Sequence, residues 1–225
     1  GAGVVLTWST EPGVSPEGLT GYRLYRMDAG GAALRLGPDL ITANDTVGTV
    51  SVLMNRGGGV FAPQVEYAVG AGPRCVVSGD VDGDGDADLV VANGGSHSLS
   101  VLLNRGDGTF EPQMEFPVGS APRSLVCADL NGDGFPDLAM DGGSGTVLVL
   151  LNAGDGTFPH GARYQAGGGM IDVWVVTSGD FDGDGHLDLA AGGGNSHNHQ
   201  VAVLHNQGNG SFVPAGQYFS LGPGG

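Results

Sequence analysis

The chain has 225 residues, 45 of them glycine, and a formal net charge of −16 from 24 acidic and 8 basic side chains. All eight basic residues are arginines and they form no stripe able to neutralise phosphates, which excludes a nucleic-acid groove and disfavours an anionic membrane surface. No Gly-X-Y period runs through the glycines and apolar residues reach 40%, which excludes collagen and simple disorder and points instead to many short strands separated by glycine turns.

Residues 1–37 stand apart from the rest of the chain. Val4–Thr10 (VVLTWST) and Gly21–Asp28 (GYRLYRMD) read as two strands joined by a loop rich in proline and glycine. The placement of Trp8, Tyr22 and Tyr25 resembles the opening strands of a fibronectin type III domain, but too few residues remain to finish a sandwich. The segment is therefore expected to cap the next region or to lend it a strand. A start at Gly-Ala-Gly without Met reads as a processed or excised segment.

From residue 38 to 225 the chain repeats itself. PDLITAN, ADLVVAN, PDLAMDG and LDLAAGG align on Asp39, Asp88, Asp137 and Asp188, with spacings of 49, 49 and 51 residues. Each is followed by an apolar run ending at Asn55, Asn104, Asn152 or Asn206, then by a glycine-rich turn and an aromatic residue, Phe61, Phe110, Phe158 or Phe212. In the unit from Ala121, the pattern predicts strands over Arg123–Ala128, from Leu138–Met140, over Thr146–Leu151 and over Gly161–Ala166, with a hairpin turn at Ala153–Thr157. Polarity rises toward the fourth strand, so the first is expected to be buried and the last to form the rim. The fold class is all-β: a β-propeller or partial propeller of about four four-stranded blades, three complete repeats and one degenerate. If the ring stays incomplete, a homo-oligomer is expected; a strand from the N-terminal segment or from Gln217–Leu221 would help to close it.

Three repeats carry a nine-residue acidic loop, DVDGDGDAD (80–88), DLNGDGFPD (129–137) and DFDGDGHLD (180–188), which together hold half of all carboxylates. Charge crowded this way is costly without a counter-cation. Calcium takes six to eight oxygen donors in a flexible shell, and alternate side chains at positions 1, 3 and 5 converge when such a loop curls. The side-chain ligands are expected to be Asp80, Asp82, Asp84 and Asp88; Asp129, Asn131, Asp133 and Asp137; and Asp180, Asp182, Asp184 and Asp188. Glycines at positions 4 and 6 supply backbone angles other residues resist. Asp86, Phe135 and His186 at position 7 vary freely, as suits a main-chain carbonyl donor, and the ninth-position aspartate is expected to close the shell with both oxygens. Three Ca2+ sites are expected in all. The loop lacks the glutamate and flanking helices of an EF-hand. Without metal, the same letters would read as tight Asp-Gly turns.

The loop, the apolar strand pair and the N-x-G-D-G-T-F turn together resemble the FG-GAP/VCBS repeat family, known from the integrin alpha-subunit propeller. That resemblance implies calcium between the first and second strands of a blade, an extracellular or cell-surface setting, and roles in adhesion, carbohydrate binding or scaffolding. The first repeat departs from it: Gly31, Ala33 and Arg35 occupy positions 1, 3 and 5, so no metal is expected there, and Ala32–Leu36 reads as a first strand without its loop, turning at Gly37 and Pro38.

Other signals carry less. Cys75 and Cys127 sit at offsets that place them on opposite faces of comparable strands, which argues against a disulfide. His197, Asn198 and His199, with His205, could suggest zinc or copper, but a glycine-rich surface loop is the plainer reading. Asp107 and Asp155 read as turn formers. Arg74, Arg105 and Arg123 are expected to pair with the acidic loops, the sharper alternative being an acidic ligand at the ring centre. No nucleophile elbow, P-loop or Cys–His pair is present, so no enzyme is expected. The sequence thus points to a non-catalytic calcium-binding module taking a protein or glycan ligand, without membrane insertion; a lectin and an accessory region of a larger secreted enzyme are the alternatives.

Overall fold

The computed structural model describes residues 22–27, 39–166, 172–195 and 198–220. They form sixteen strands in four four-stranded antiparallel sheets. The first blade is β1 (Tyr22–Met27), β2 (Asp39–Asn44), β3 (Thr49–Leu53) and β4 (Val65–Ala68); the second is β5 (Pro73–Gly79), β6 (Asp88–Asn93), β7 (Ser98–Leu102) and β8 (Met114–Pro117). The third is β9 (Leu125–Ala128), β10 (Asp137–Gly143), β11 (Thr146–Leu151) and β12 (His160–Gln165). The fourth is β13 (Asp172–Gly179), β14 (Asp188–Asn195), β15 (Asn198–Asn206) and β16 (Phe212–Ser220). Each blade meanders in sequence order, as the fifty-residue repeat requires. The chain is an all-β propeller or partial propeller of four blades.

The first blade takes its first strand from the N-terminal segment, Tyr22 pairing with Asn44 and Met27 with Asp39. The strands expected at Val4–Thr10 and Ala32–Leu36 lie outside the described residues. At the other end, Gln217 and its neighbours extend β16, which pairs with β15.

The period of two along each strand decides how blades stack. On β6, Leu89 and Val91 face the first blade, while Val90 and Ala92 face the third. On β10, Leu138 and Met140 point back to the second blade and Ala139 forward to the fourth. Three apolar clusters result, one at each junction between consecutive blades. First strands pack on first strands, β1 on β5, β5 on β9 and β9 on β13, so they line the inner side of the row.

Burial corrects one expectation. The second and third strands are the deeply buried pair: β6 and β7 are buried at every position. First strands are only partly covered, and β13 exposes Trp174 and Val175. A middle strand has a neighbour on both edges and a blade on each face, whereas a first strand has one free edge. The fourth strands are exposed, as expected of a rim.

Cys75 and Cys127 also behave differently from the simple argument. They do occupy opposite faces of equivalent strands, but on successive blades those faces meet, and both residues pack into the cluster between blades two and three. No disulfide joins them, and burial pushes the Cys127 thiol up to about 12, with Asp137 and Asp88 adding to the rise.

Leu138 is fully buried at that same junction. Replacing it with alanine is expected to cost about 2–5 kcal/mol, the range for such deletions in a packed core. A lowered midpoint in urea unfolding, followed by circular dichroism, checks this.

Candidate metal loops and the staples that seat them

Each acidic loop joins the first and second strands of its blade, and successive Asx turns curl it. In the first loop, Asp80 accepts hydrogen bonds from Gly83 N (2.8 Å) and Gly85 N (3.0 Å), Asp82 from Asp84 N (3.2 Å) and Asp84 from Asp86 N (2.8 Å). The second loop repeats this with Asp129, Asn131 and Asp133, and the third with Asp180, Asp182 and Asp184. Positions 4 and 6 require positive φ, for example +79° at Gly83 and +93° at Gly85, which a side chain would strain.

This curl brings carboxylates together. Ligand oxygens of Asp80, Asp82 and Asp88 lie within 4.8 Å of one another, and so do those of Asp180, Asp182 and Asp184. In the second loop Asn131 supplies an amide, and its Nδ2 donates to Asp133 Oδ2 at 2.9 Å. Burial raises the Asp82 carboxyl above its ordinary range, and the charges of Asp84 and Asp80 add to it. Burial likewise raises Asp137 and pushes Asp88 up to about 6, against the opposing effect of the backbone N–H groups they accept. These are oxygen-donor sets of the hardness calcium takes, and the crowded charge is what a divalent ion relieves.

The ninth-position aspartates have a second role that the sequence does not announce. All four are almost fully buried. Asp88 Oδ1 accepts Asn104 N at 2.8 Å, and Oδ2 accepts Val81 N at 2.9 Å. Asp137 and Asp188 repeat the pair, the first with Asn152 N and Leu130 N, the second with Asn206 N and Phe181 N. Asp39 accepts Asn55 N at 2.7 Å. One oxygen is thus committed to the end of the third strand, leaving Oδ2 on the loop side.

The asparagines complete a second staple, between blades. Asn152 Nδ2 donates to Pro136 O in its own blade and to Val81 O, at position 2 of the preceding blade's loop (2.9 Å). Asn206 Nδ2 does the same with Leu187 O and with Leu130 O (2.7 Å). Gly156 N also donates to Val81 O at 2.8 Å. Two of the three loops are therefore built into blade junctions, and their position-2 residues Val81 and Leu130 are buried. The third loop has no described blade beyond it, and its position-2 residue, Phe181, is 51% exposed. A clue exists in the sequence, because Asn recurs in register at the end of every third strand. It reads there as a turn former, and it is one: its Oδ1 accepts the N–H two residues on, as Asn104 does from Gly106.

Position 7, expected to use only its carbonyl, also has a place for its side chain. That side chain lies over the glycine turn of its own blade: a Cβ at Gly106, Gly154 or Gly208 would stand 2.8–2.9 Å from Asp86, Phe135 or His186 respectively. Asp107 and Asp155 accept N–H and O–H from Thr109 and Thr157, which holds both carboxyls below their usual range and confirms them as turn formers. Arg105 pairs with Glu111 across its hairpin at 2.7 Å, not with an acidic loop. Arg123 N donates to Asp141 Oδ1. His199 stacks edge-on against Trp174, six residues along an extended strand from His205, so those two do not share a site; His197 lies outside the described residues. His205 lies instead beside the third acidic loop.

These repeats have known relatives. The FG-GAP-like repeat family matches residues 37–91, 80–140, 141–191 and 180–225, and the chain belongs to that family. No curated protein matches it. Among solved structures it is similar to BBS1N, crystallised in complex with ARL6DN, at a TM-score of 0.56 and 13% identity, covering 86% of this chain and 58% of that one. It is also similar to the V. cholerae biofilm matrix protein Bap1, at a TM-score of 0.48 and 17% identity over 76% of this chain and 25% of that one. The rhamnogalacturonan lyase YesW gives 0.45 and 14% over 88% and 47%. The chain thus spans between a quarter and three-fifths of these proteins, and at such identities only the fold is shared.

Asp39 tests the staple apart from any metal, since its blade has no acidic positions 1, 3 and 5. Asp39→Ala is expected to lower stability by about 1.5–3 kcal/mol, the range for a hydrogen bond to a charged group. Urea unfolding should return the same loss with and without a chelator.

Proposed function

We propose that this chain is a non-catalytic binding or scaffold module whose blades are locked by divalent cations, calcium foremost, in its three acidic loops and which works outside the cell or at its surface. The observation that carries the reading is the seating of the acidic loops. Carboxylate oxygens converge in the first and third loops, and in two of the three loops the backbone is also clamped by the next blade's asparagine. An ion held by positions 1, 3, 5 and Oδ2 of position 9 would pin a blade's first two strands and, through position 2, its neighbour.

Extracellular modules bind calcium at ~10⁻⁴–10⁻³ M, and calcium outside cells is sufficient to fill such sites. By linkage each would then add on the order of 1–2 kcal/mol. The loops consume the clustered carboxylates as ligands, so the reading assigns no catalysis to them. Membership of the FG-GAP-like repeat family supports an extracellular repeat module, and the partner we propose for it is a protein or a glycan.

Thermal unfolding of the whole chain tests the calcium reading. EDTA is expected to lower the melting temperature and added calcium to restore it. Asp80→Ala, Asp129→Ala and Asp180→Ala combined should remove that response while leaving the far-ultraviolet spectrum in place. A melting curve indifferent to EDTA would sink the reading.

A further inference from the structure

In the second and third blades the residue before the strand-end asparagine is leucine. Leu103 and Leu151 are partly buried against the blade junctions. The next blade's turn lies over each: a Cβ at Gly156 would meet Leu103 at 3.2 Å, and one at Gly210 would meet Leu151 at 2.9 Å. In the fourth blade this position is His205, and no described blade comes after it to cover it. Its side chain is 30% exposed and turns to the acidic loop instead.

There Nδ1 stands 3.1 Å from Asp182 Oδ2 and 3.3 Å from Asp188 Oδ2, and the three ligand atoms lie within 4.8 Å of one another. Two donors bound at ~2.0–2.2 Å to one zinc-sized ion stand roughly 3.0–3.5 Å apart, so these atoms already have the spacing of a common first shell. Asp188 is fully buried and fixed by Phe181 N and Asn206 N, and Asp182 Oδ1 accepts Asp184 N, so both carboxylates are oriented before any ion arrives. Asp180 and Asp184 add two further carboxylates beside Asp182.

Resting on the reading of these loops as cation sites, we propose that the third loop is a mixed imidazole–carboxylate site that prefers a first-row transition-metal dication of the zinc class to calcium. The first two loops offer oxygen alone, the donor type of a calcium site. An imidazole nitrogen adds little for calcium and much for zinc, cobalt or nickel. The repeat therefore carries two kinds of site, distinguished by one residue at the end of the row.

The test is calorimetric titration of Zn2+ into the metal-stripped full chain held in millimolar calcium, with Tb3+ luminescence reporting the oxygen-only loops. Wild type is expected to bind one equivalent of zinc that calcium does not displace. His205→Leu, which restores the residue of the two preceding blades, should weaken it by about 10–100-fold or more, since even indirect partners of a metal cost that much. His205→Gln, which keeps a polar side chain, should behave likewise. Terbium binding should be unchanged in both. Zinc displaced by millimolar calcium, or a zinc isotherm unaltered in both variants, would overturn the proposal while leaving calcium-dependent melting intact. Silence of terbium as well would mean that the loops bind no cation and that the broader reading has failed.

Discussion

The fold depends on a buried carboxylate. A fully desolvated aspartate is among the most costly groups to place in a protein interior unless hydrogen bonds and charge compensate it. Here the same aspartate recurs in every blade at the start of the second strand, and two backbone N–H groups meet it in blades two to four. One comes from the end of the third strand and one from the loop before the second. The carboxylate thus fixes where three segments of the blade meet. Even so compensated, Asp88 remains above its ordinary range because burial outweighs the N–H donors. A divalent ion on the loop side would remove that remaining penalty, and structural staple and proposed cation site would then share one side chain.

From that point the blade-to-blade contact is determined. The residue whose N–H meets the aspartate is asparagine, and its amide reaches the carbonyl at position 2 of the preceding loop in blades three and four. Apolar clusters supply most of the area at each junction, but they are non-directional and tolerate sliding. The amide contact sets the register between blades, because a shift of one residue would leave a buried carbonyl unpaired at a cost of about 1–3 kcal/mol.

Much of this is legible in the sequence. The 49-to-51-residue spacing of Asp39, Asp88, Asp137 and Asp188 defines the blade, and Thr146–Leu151 matches its strand end for end. The glycines at loop positions 4 and 6 adopt the positive φ that their spacing implies. What stays hidden depends on partners far away along the chain. Asn152 and Val81 are 71 residues apart, and nothing local to either announces the other. Strand burial is misjudged from sequence for a related reason: polarity records exposure of one strand, whereas burial of the middle pair comes from the blades on either side. Cys75 and Cys127 teach the same point, since opposite faces of successive blades become one interface.

A repeat array whose loops are locked by the next blade along is necessarily unequal at its ends. The loop after β5 and the loop after β9 each lie under a neighbour, while the loop after β13 has, among the described residues, only its own blade to define it. Phe181 shows the consequence in exposure where Val81 and Leu130 are buried. His205 shows it in chemistry, because leucine is the suitable residue only where a glycine turn packs over it. Among the described residues, the neighbour of this side chain is the acidic loop and not an apolar junction. An imidazole against nearby carboxylates is then a stable neighbour in its own right, and the third loop is free to differ in its choice of ion without disturbing the two junctions that asparagine staples.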